Sequence, residues 1–156
     1  MSFSRIPAGY HTVTPYIVVR GAAQAIEFYE RAFNAREVLR LPAPNGLLAH
    51  AEIEIGDSRV MLADENEELD CPGPQTIGGT ASSILLYVND VDALFQQAIE
   101  AGAKSLRPVQ DQFYGDRSGF LEDPFGHRWS LATHIEDVSQ EEAIRRFHAL
   151  AAPPAE

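Results

Sequence analysis

The chain has 156 residues, of which 45% are hydrophobic and 22% are charged, a balance typical of a globular protein with a substantial core. Its 12 basic and 23 acidic residues give a net charge of −11, which repels nucleic acids and anionic membranes, so we expect neither as a partner. No cationic and then apolar leader opens the sequence, and no apolar run approaches the roughly 18 residues that a membrane span needs. We therefore expect a cytoplasmic protein.

The first half of the chain predicts a β-α-β-β-β order. A β-branched, apolar run predicts a strand over 13–20, and Pro15 is tolerable there because it lies near the strand start. Apolar residues at helical spacing predict a helix over 22–33. Three further strands follow, over 37–41, 48–55 and 58–63.

Residues 64–80 are first acidic and then rich in Pro, Gly and Thr, which predicts a connector long enough to act as a pocket flap. Its Cys71 is the single cysteine of the chain, and with no basic neighbour to activate it we expect a free thiol of a reducing compartment.

The second half repeats the same order. A strand over 82–88 leads into a helix over 91–101, which Asp90 caps and Gly102 ends. The remaining strands are predicted over 104–109, 118–122 and 128–133, with a loop over 110–116. A helix that begins with a capping-box sequence at 139–142 and a tail rich in Ala and Pro close the chain.

An internal repeat supports this division. Arg59–Ala63 recurs in three of its five letters at Arg128–Ala132, 69 positions later, and the same spacing places 14–19 on 83–88. We therefore predict an α+β fold, with two tandem βαβββ modules forming a curled mixed sheet around a cleft. The predicted parts are an arm (1–12), a first module (13–63), the connector (64–80), a second module (81–134) and a C-terminal helix with its tail (135–156).

The paired modules, the helix sequence Ala25–Tyr29 and the turn sequence Leu121–His127 resemble the vicinal oxygen chelate superfamily, which includes glyoxalase I, extradiol dioxygenases and bleomycin-resistance proteins. Within it, the runs 112–119 and 129–134 are similar to the PhnB-like, glyoxalase/bleomycin-resistance branch. The resemblance covers residues 12–140 and implies the fold, but not one activity.

The superfamily's catalysts bind a divalent metal through side chains of the first and last strands of each module. The resemblance places Thr14, Met61, Ser83 and Ser130 at these positions. Hydroxyl and thioether groups bind such ions weakly, so we expect no metal and no other cofactor.

Other polar residues allow competing interpretations. His50, His127 and His134 could form a different metal or acid-base cluster, but exposed or locally bonded side chains are the simpler reading. Glu52 and Glu54 share one face of a strand, as paired catalytic carboxylates do, although such a pair is more often the solvated face of a sheet.

A set of aromatic residues is the strongest remaining signal, since aromatic clefts bind planar or cationic molecules by stacking and cation–π attraction. Strand alternation puts Trp129 on the face opposite Ser130, so its side chain could pack in the core or line the cleft. Asp116 and Arg117 are expected to pair or to position the loop before them. The candidate ligand-binding residues are Tyr16, Tyr87, Phe113, Tyr114, Trp129 and Ser130.

The leading hypothesis is a metal-free protein that sequesters an aromatic or cationic compound, as drug-sequestering bleomycin-resistance proteins do. The resemblance also implies a homodimer with pockets between subunits. The alternative is a metal-dependent lyase, isomerase or dioxygenase with unusual ligands such as His50, Glu52 or His134. The third class is a structural or regulatory partner domain. The amphipathic C-terminal helix is the only feature that supports it.

Overall fold

The computed structural model describes residues 3–151, so the predicted tail at 152–156 and the first two residues of the arm lie outside it. Within these residues there are eight strands: β1 (Tyr16–Val19), β2 (Arg36–Pro42), β3 (Leu48–Ile55), β4 (Ser58–Asp64), β5 (Ser83–Tyr87), β6 (Lys104–Asp111), β7 (Asp116–Glu122) and β8 (Arg128–His134). The helices are α1 (Ala22–Phe33), α2 (Pro74–Ile77), α3 (Val91–Ala101) and α4 (Gln140–Ala151).

The strands form two sheets of four, in the orders β1-β4-β3-β2 and β5-β8-β7-β6. In each sheet the first strand of the module is parallel to the last, and the other pairs are antiparallel. Tyr16 is the partner of Met61, and Leu85 is the partner of Ser130, so equivalent pairs are separated by the spacing of 69 found in the sequence. The predicted α+β fold of two βαβββ modules is confirmed.

Two local predictions need correction. The predicted loop over 110–116 is shorter, because β6 extends to Asp111 and β7 begins at Asp116. Only residues 112–115 remain as the turn, where Gly115 takes the positive φ of 101° that a side chain would disfavour. The connector also contains α2, a single turn of helix that begins at Pro74, where the missing N–H of proline costs nothing.

Helices α1 and α3 pack against each other between the two sheets. Phe33 of α1 contacts Trp129 of β8 with ring centroids 4.8 Å apart, so α1 covers part of both sheets. Among the described residues, no strand of one sheet contacts a strand of the other. The curled sheet predicted from the sequence is therefore divided in two within one chain, and each sheet turns its second face outward.

The inward faces supply the core through strand alternation. In the first module the alternate residues Ile17, Val19, Val60 and Leu62 are buried. In the second module Trp129 is fully buried at 0% exposure and Leu131 lies beside it. Along residues 3–151, no helix is both long and apolar enough to cross a bilayer.

The carboxylate of Asp123 joins the two modules in this core. It is 4% exposed and accepts hydrogen bonds from the Tyr29 hydroxyl of α1 at 2.7 Å and from the Trp129 indole at 2.9 Å. Its other oxygen accepts from the backbone N–H groups of Phe125 and His127, both at 2.9 Å. Burial and the neighbouring carboxylate raise the pKa of Tyr29 well above its ordinary value, so its hydroxyl stays a donor.

We expect Asp123→Ala to lower the free energy of unfolding by about 3 kcal/mol, because it leaves several buried donors without an acceptor. Tyr29→Phe removes only one of these bonds and should cost about 1 kcal/mol. Urea unfolding followed by circular dichroism measures both, with Glu68→Ala on the exposed connector as the control. Equal stability of Asp123→Ala and the control would show that this junction contributes little.

Candidate functional site

The outward face of the first sheet carries a row of partners across three strands. Met61 of β4 lies between Tyr16 of β1 and Glu52 of β3, since it is the cross-strand partner of both. Their side chains point away from the helices because the alternate residues are the buried ones. Tyr16 is 51% exposed, so its ring is available to a ligand.

A chain of hydrogen bonds connects the polar residues of this face. The Tyr16 hydroxyl lies 2.8 Å from Nδ1 of His50, and Nε2 of His50 lies 3.1 Å from Oε1 of Glu52. The hydroxyl of Tyr10, on the N-terminal arm, donates to the other oxygen of Glu52. This bond is the main reason that the pKa of Glu52 is lowered, while burial and Glu52 raise the pKa of Tyr10 to about 12. At neutral pH, Glu52 is a carboxylate and Tyr10 a phenol.

The outward face of the second sheet has a comparable network. The hydroxyl of Tyr87 donates to Oδ2 of Asp116 at 2.8 Å, and Nδ1 of His134 lies 2.8 Å from Oδ1 of the same carboxylate. Nε2 of His134 lies 2.8 Å from Asp137, in the linker before α4. Asp116 is only 5% exposed, whereas Tyr87 is 65% exposed. The buried carboxylate therefore fixes the position of an exposed aromatic ring.

The two bonds to carboxylates determine the protonation of this second network. Hydrogen bonds to Asp137 and then Asp116 raise the pKa of His134, and the bond to Asp116 raises the pKa of Tyr87. His134 thus favours the imidazolium form, which donates to an aspartate on each side. Leu85 and Ser130 complete this face, and Leu85 is 48% exposed.

The predicted ligand-binding residues do not all lie together. Phe113 and Tyr114 form an edge-on pair 5.2 Å apart, and Phe113 packs on Phe147 of α4 at 5.5 Å. The contact between Phe113 and Phe147 holds the C-terminal helix against the β6–β7 turn. Trp129 faces the helices in the core and is not accessible to a ligand, so the core reading of this residue agrees with the structure.

Asp116 and Arg117 do not pair with each other, because adjacent residues of a strand point to opposite faces. Arg117 instead forms ion pairs with Asp92 of α3 at 2.7 Å and with Asp111 at 2.9 Å. His127 lies in the predicted turn between β7 and β8, but its side chain is not bonded locally. Its Nε2 donates to the carbonyl of Val18 at 2.8 Å and so adds a second link between the modules.

The polar cluster of Tyr10, Tyr16, His50 and Glu52 was not recognised from the sequence as one unit. The spacing of His50 and Glu52 on alternate positions of a strand indicated a shared face, but Tyr10 reaches them from 42 residues away.

The four positions at which the resemblance implies metal ligands do not fit a divalent ion here. Thr14 precedes β1 and its hydroxyl donates to the carbonyl of His11, while Met61, Ser83 and Ser130 offer a thioether and two hydroxyls. His50 and Glu52 lie on one sheet and His134 on the other. Over residues 3–151, no three His, Cys, Asp or Glu side chains converge as a metal site would require.

A groove of about 1210 Å³ runs between the β3–β4 hairpin and β5. Its lining includes Arg59 from the first module and Tyr87 from the second. Nε and Nη1 of Arg59 are buried without a hydrogen-bond partner in the described part of the chain, and its Nη2 lies 3.3 Å from Glu54.

Comparison with known proteins identifies the family. The family model described as the Glyoxalase/Bleomycin resistance protein/Dioxygenase superfamily matches residues 10–131. The chain belongs to this superfamily, as the resemblance in the sequence predicted.

Particular relatives agree with this assignment. The uncharacterized protein Rv0887c of Mycobacterium tuberculosis (strain ATCC 25618 / H37Rv) is 45% identical over 134 residues, which cover 83% of this chain and 78% of the relative. The crystal structure of TioX from Micromonospora sp. ML1 is similar with a TM-score of 0.65 and 28% identity, covering 80% of this chain and 99% of that one. A PhnB protein from Bacillus cereus, described as a putative 3-demethylubiquinone-9 3-methyltransferase, shares the fold with a TM-score of 0.61 and 18% identity, covering 79% and 99%.

We expect His134→Gln to destabilise the protein more at about pH 5.5 than at about pH 9. Its bonds to Asp137 and Asp116 raise the pKa of His134 in the folded state. The stabilisation by these bonds is therefore fully present below the ordinary pKa of histidine, and it is lost as the pH rises through the pKa of the folded state. Urea unfolding of both proteins at the two pH values measures this difference. His148→Gln, on the exposed side of α4, is the control, and a loss independent of pH would contradict the assigned role.

Proposed function

We propose that the protein binds a small, planar aromatic molecule on its outward sheet faces and sequesters it without making or breaking a bond. The observation that carries this proposal is the exposure of large side chains on both faces: Tyr16 at 51%, Leu85 at 48% and Tyr87 at 65%. Apolar surface of this kind, beside a few fixed polar groups, is typical of ligand sites.

The hydrogen bonds behind the rings support binding. The hydroxyls of Tyr16 and Tyr87 are tied to His50 and Asp116, which limits the rotation of both rings. A ring that is already held in place loses little conformational entropy when a ligand stacks on it. The net charge of −11 favours a cationic ligand over an anionic one.

We further propose a homodimer in which the first-module face of one chain lies opposite the second-module face of its partner. The helices fill the space between the two sheets of one chain, so a pocket enclosed on both sides needs a second chain. β1 and β5 are edge strands, each paired on one side only, and dimerisation would cover these open edges. Members of the superfamily commonly bind small molecules and form dimers, and its name includes bleomycin resistance, which suggests a comparable sequestering role.

Acridine orange, a fluorescent planar cation, is a suitable probe of this site. We expect Tyr16→Ala and Tyr87→Ala each to weaken its binding by about 1–3 kcal/mol, because each removes one stacking surface. Fluorescence titration measures the affinity, and circular dichroism checks that the variants fold. Leu69→Ala, which removes an apolar side chain that is 71% exposed on the connector, should leave the affinity unchanged.

Sedimentation of the same samples should give the mass of two chains. Unchanged affinity in both tyrosine variants, or a monomer that binds as well as a dimer, would contradict the proposed site.

Metal analysis separates sequestration from the metal-dependent alternative. We expect protein purified without chelator to retain less than about 0.1 equivalent of transition metal after dialysis, because hydroxyl and thioether groups are poor ligands at the four positions. Elemental mass spectrometry measures the content. About one ion per chain or per dimer would instead support an enzyme with unusual ligands.

A further inference from the structure

The exposed tyrosines of the two faces share a property that ring stacking does not explain: each gives its hydroxyl proton to the protein. For Tyr87 the direction of the bond is unambiguous, since the carboxylate of Asp116, 2.8 Å away, can only accept. The oxygen of Tyr87 then has no proton to offer to a ligand and can act only as an acceptor.

For Tyr16 the direction follows from the residues behind it. Glu52 is ionised, because the donated hydrogen bond from Tyr10 lowers its pKa. An ionised Glu52 requires a proton on Nε2 of His50, which lies 3.1 Å from its Oε1. In the neutral imidazole Nδ1 is then unprotonated and accepts from the Tyr16 hydroxyl at 2.8 Å.

The two tyrosines do not correspond to each other in the internal repeat. The pairings of β1 with β4 and of β5 with β8 make Leu85 the equivalent of Tyr16 and Val18 the equivalent of Tyr87. In the second module the tyrosine hydroxyl also gives its proton to the protein, but the partners differ: Tyr87 donates to Asp116, which is bonded to His134. Each module therefore provides, at its own position, an exposed aromatic ring whose oxygen has given its proton to the protein and can only accept.

The acidic residues behind these rings add a charge preference. Glu54 is neutralised by Arg36 at 2.9 Å and Arg59 at 3.3 Å. Among the described residues, Glu52 and Asp116 form ion pairs with histidine only and with no lysine or arginine. Arg59, whose charge also acts on Glu52, is shared with Glu54, and the imidazolium of His134 is shared between Asp116 and Asp137. Each network therefore keeps negative charge that favours a cation close to the phenol oxygen.

We propose that the site is specific for a planar aromatic cation that carries hydrogen-bond donors, such as aromatic amino or amidinium groups, which donate to the phenol oxygens of Tyr16 and Tyr87. This inference rests on the proposed function and adds the chemical class of the ligand. Tyr16 and Tyr87 contact the ligand, whereas His50, Glu52 and Asp116 are positioning residues that direct the tyrosine protons.

Proflavine and acridine orange form a matched pair of probes. Both are planar acridine cations with similar fluorescence, but the two amino groups of proflavine donate hydrogen bonds and the dimethylamino groups of acridine orange do not. At about pH 8, we expect the wild-type protein to bind proflavine at least about tenfold more tightly. In Tyr16→Phe, which keeps the ring, this preference should fall to about threefold or less while the affinity for acridine orange is unchanged.

The outcomes of this titration are distinct. A preference that persists in full in both Tyr16→Phe and Tyr87→Phe would come from the smaller size of proflavine and would overturn the inference. Equal binding of both dyes to the wild type would also overturn it and leave the proposed function intact. If neither dye binds, the proposed function itself is contradicted.

Glu52→Gln tests the direction of the hydrogen bonds without changing the shape of the side chain. Tyr10 continues to donate to the amide oxygen, so the amide NH₂ faces Nε2 of His50 and the imidazole proton moves to Nδ1. The Tyr16 oxygen then accepts from His50, and its own proton turns toward the ligand. We expect this variant to lose the preference for proflavine as Tyr16→Phe does.

Long-range ¹H–¹⁵N NMR reads the His50 tautomer in the absence of any dye. We expect a proton on Nε2 in the wild type and on Nδ1 in Glu52→Gln. The Nδ1–H tautomer in the wild-type protein would overturn the inference, as would a Glu52→Gln variant that changes tautomer but keeps the full preference for proflavine.

Discussion

Helices α1 and α3 pack against each other between the two sheets, and this packing decides which surfaces a ligand can reach. The helices occupy the space that a ligand would need if the sheets enclosed it within one chain. Each sheet can therefore bind a ligand only on the face that points away from the helices. Asp123 maintains this arrangement, because one buried carboxylate accepts from Tyr29 of the first module and from Trp129 of the second.

Strand alternation then distributes chemistry between the faces. The inward positions are apolar and buried, and the outward positions of each sheet hold a tyrosine, a histidine and a carboxylate joined by hydrogen bonds. These polar groups satisfy one another, so their desolvation costs little and the rings above them remain oriented. The same networks set which atoms of the site donate and which accept, and this is a stronger basis for specificity than aromatic surface alone.

The superfamily hosts several chemistries on one fold, and the residues at the site decide which of them a member performs. At the positions where the resemblance implies metal ligands this chain has a thioether and hydroxyls, and His50 and His134 are engaged with carboxylates of their own sheets. The C-terminal helix α4 adds a further element, since Phe147 packs on Phe113 and Arg146 donates to its carbonyl at 3.2 Å. The second network is linked to this helix through Asp137.

Sequence patterns alone predict the two βαβββ modules, their spacing of 69 residues, the superfamily and the cap of α3 by Asp90, which accepts from the N–H of Ala93. These features depend on local periodicity and on residues close together in the chain. The assembled fold creates the separation of the two sheets, the burial of Trp129 and the cap of α1, where Asp64 accepts from the N–H groups of Gly21 and Ala22 at 2.8 Å. It also brought Tyr10 to Glu52. Such contacts join side chains that are dozens of residues apart, and no local pattern specifies them because the approach of the strands and helices creates them.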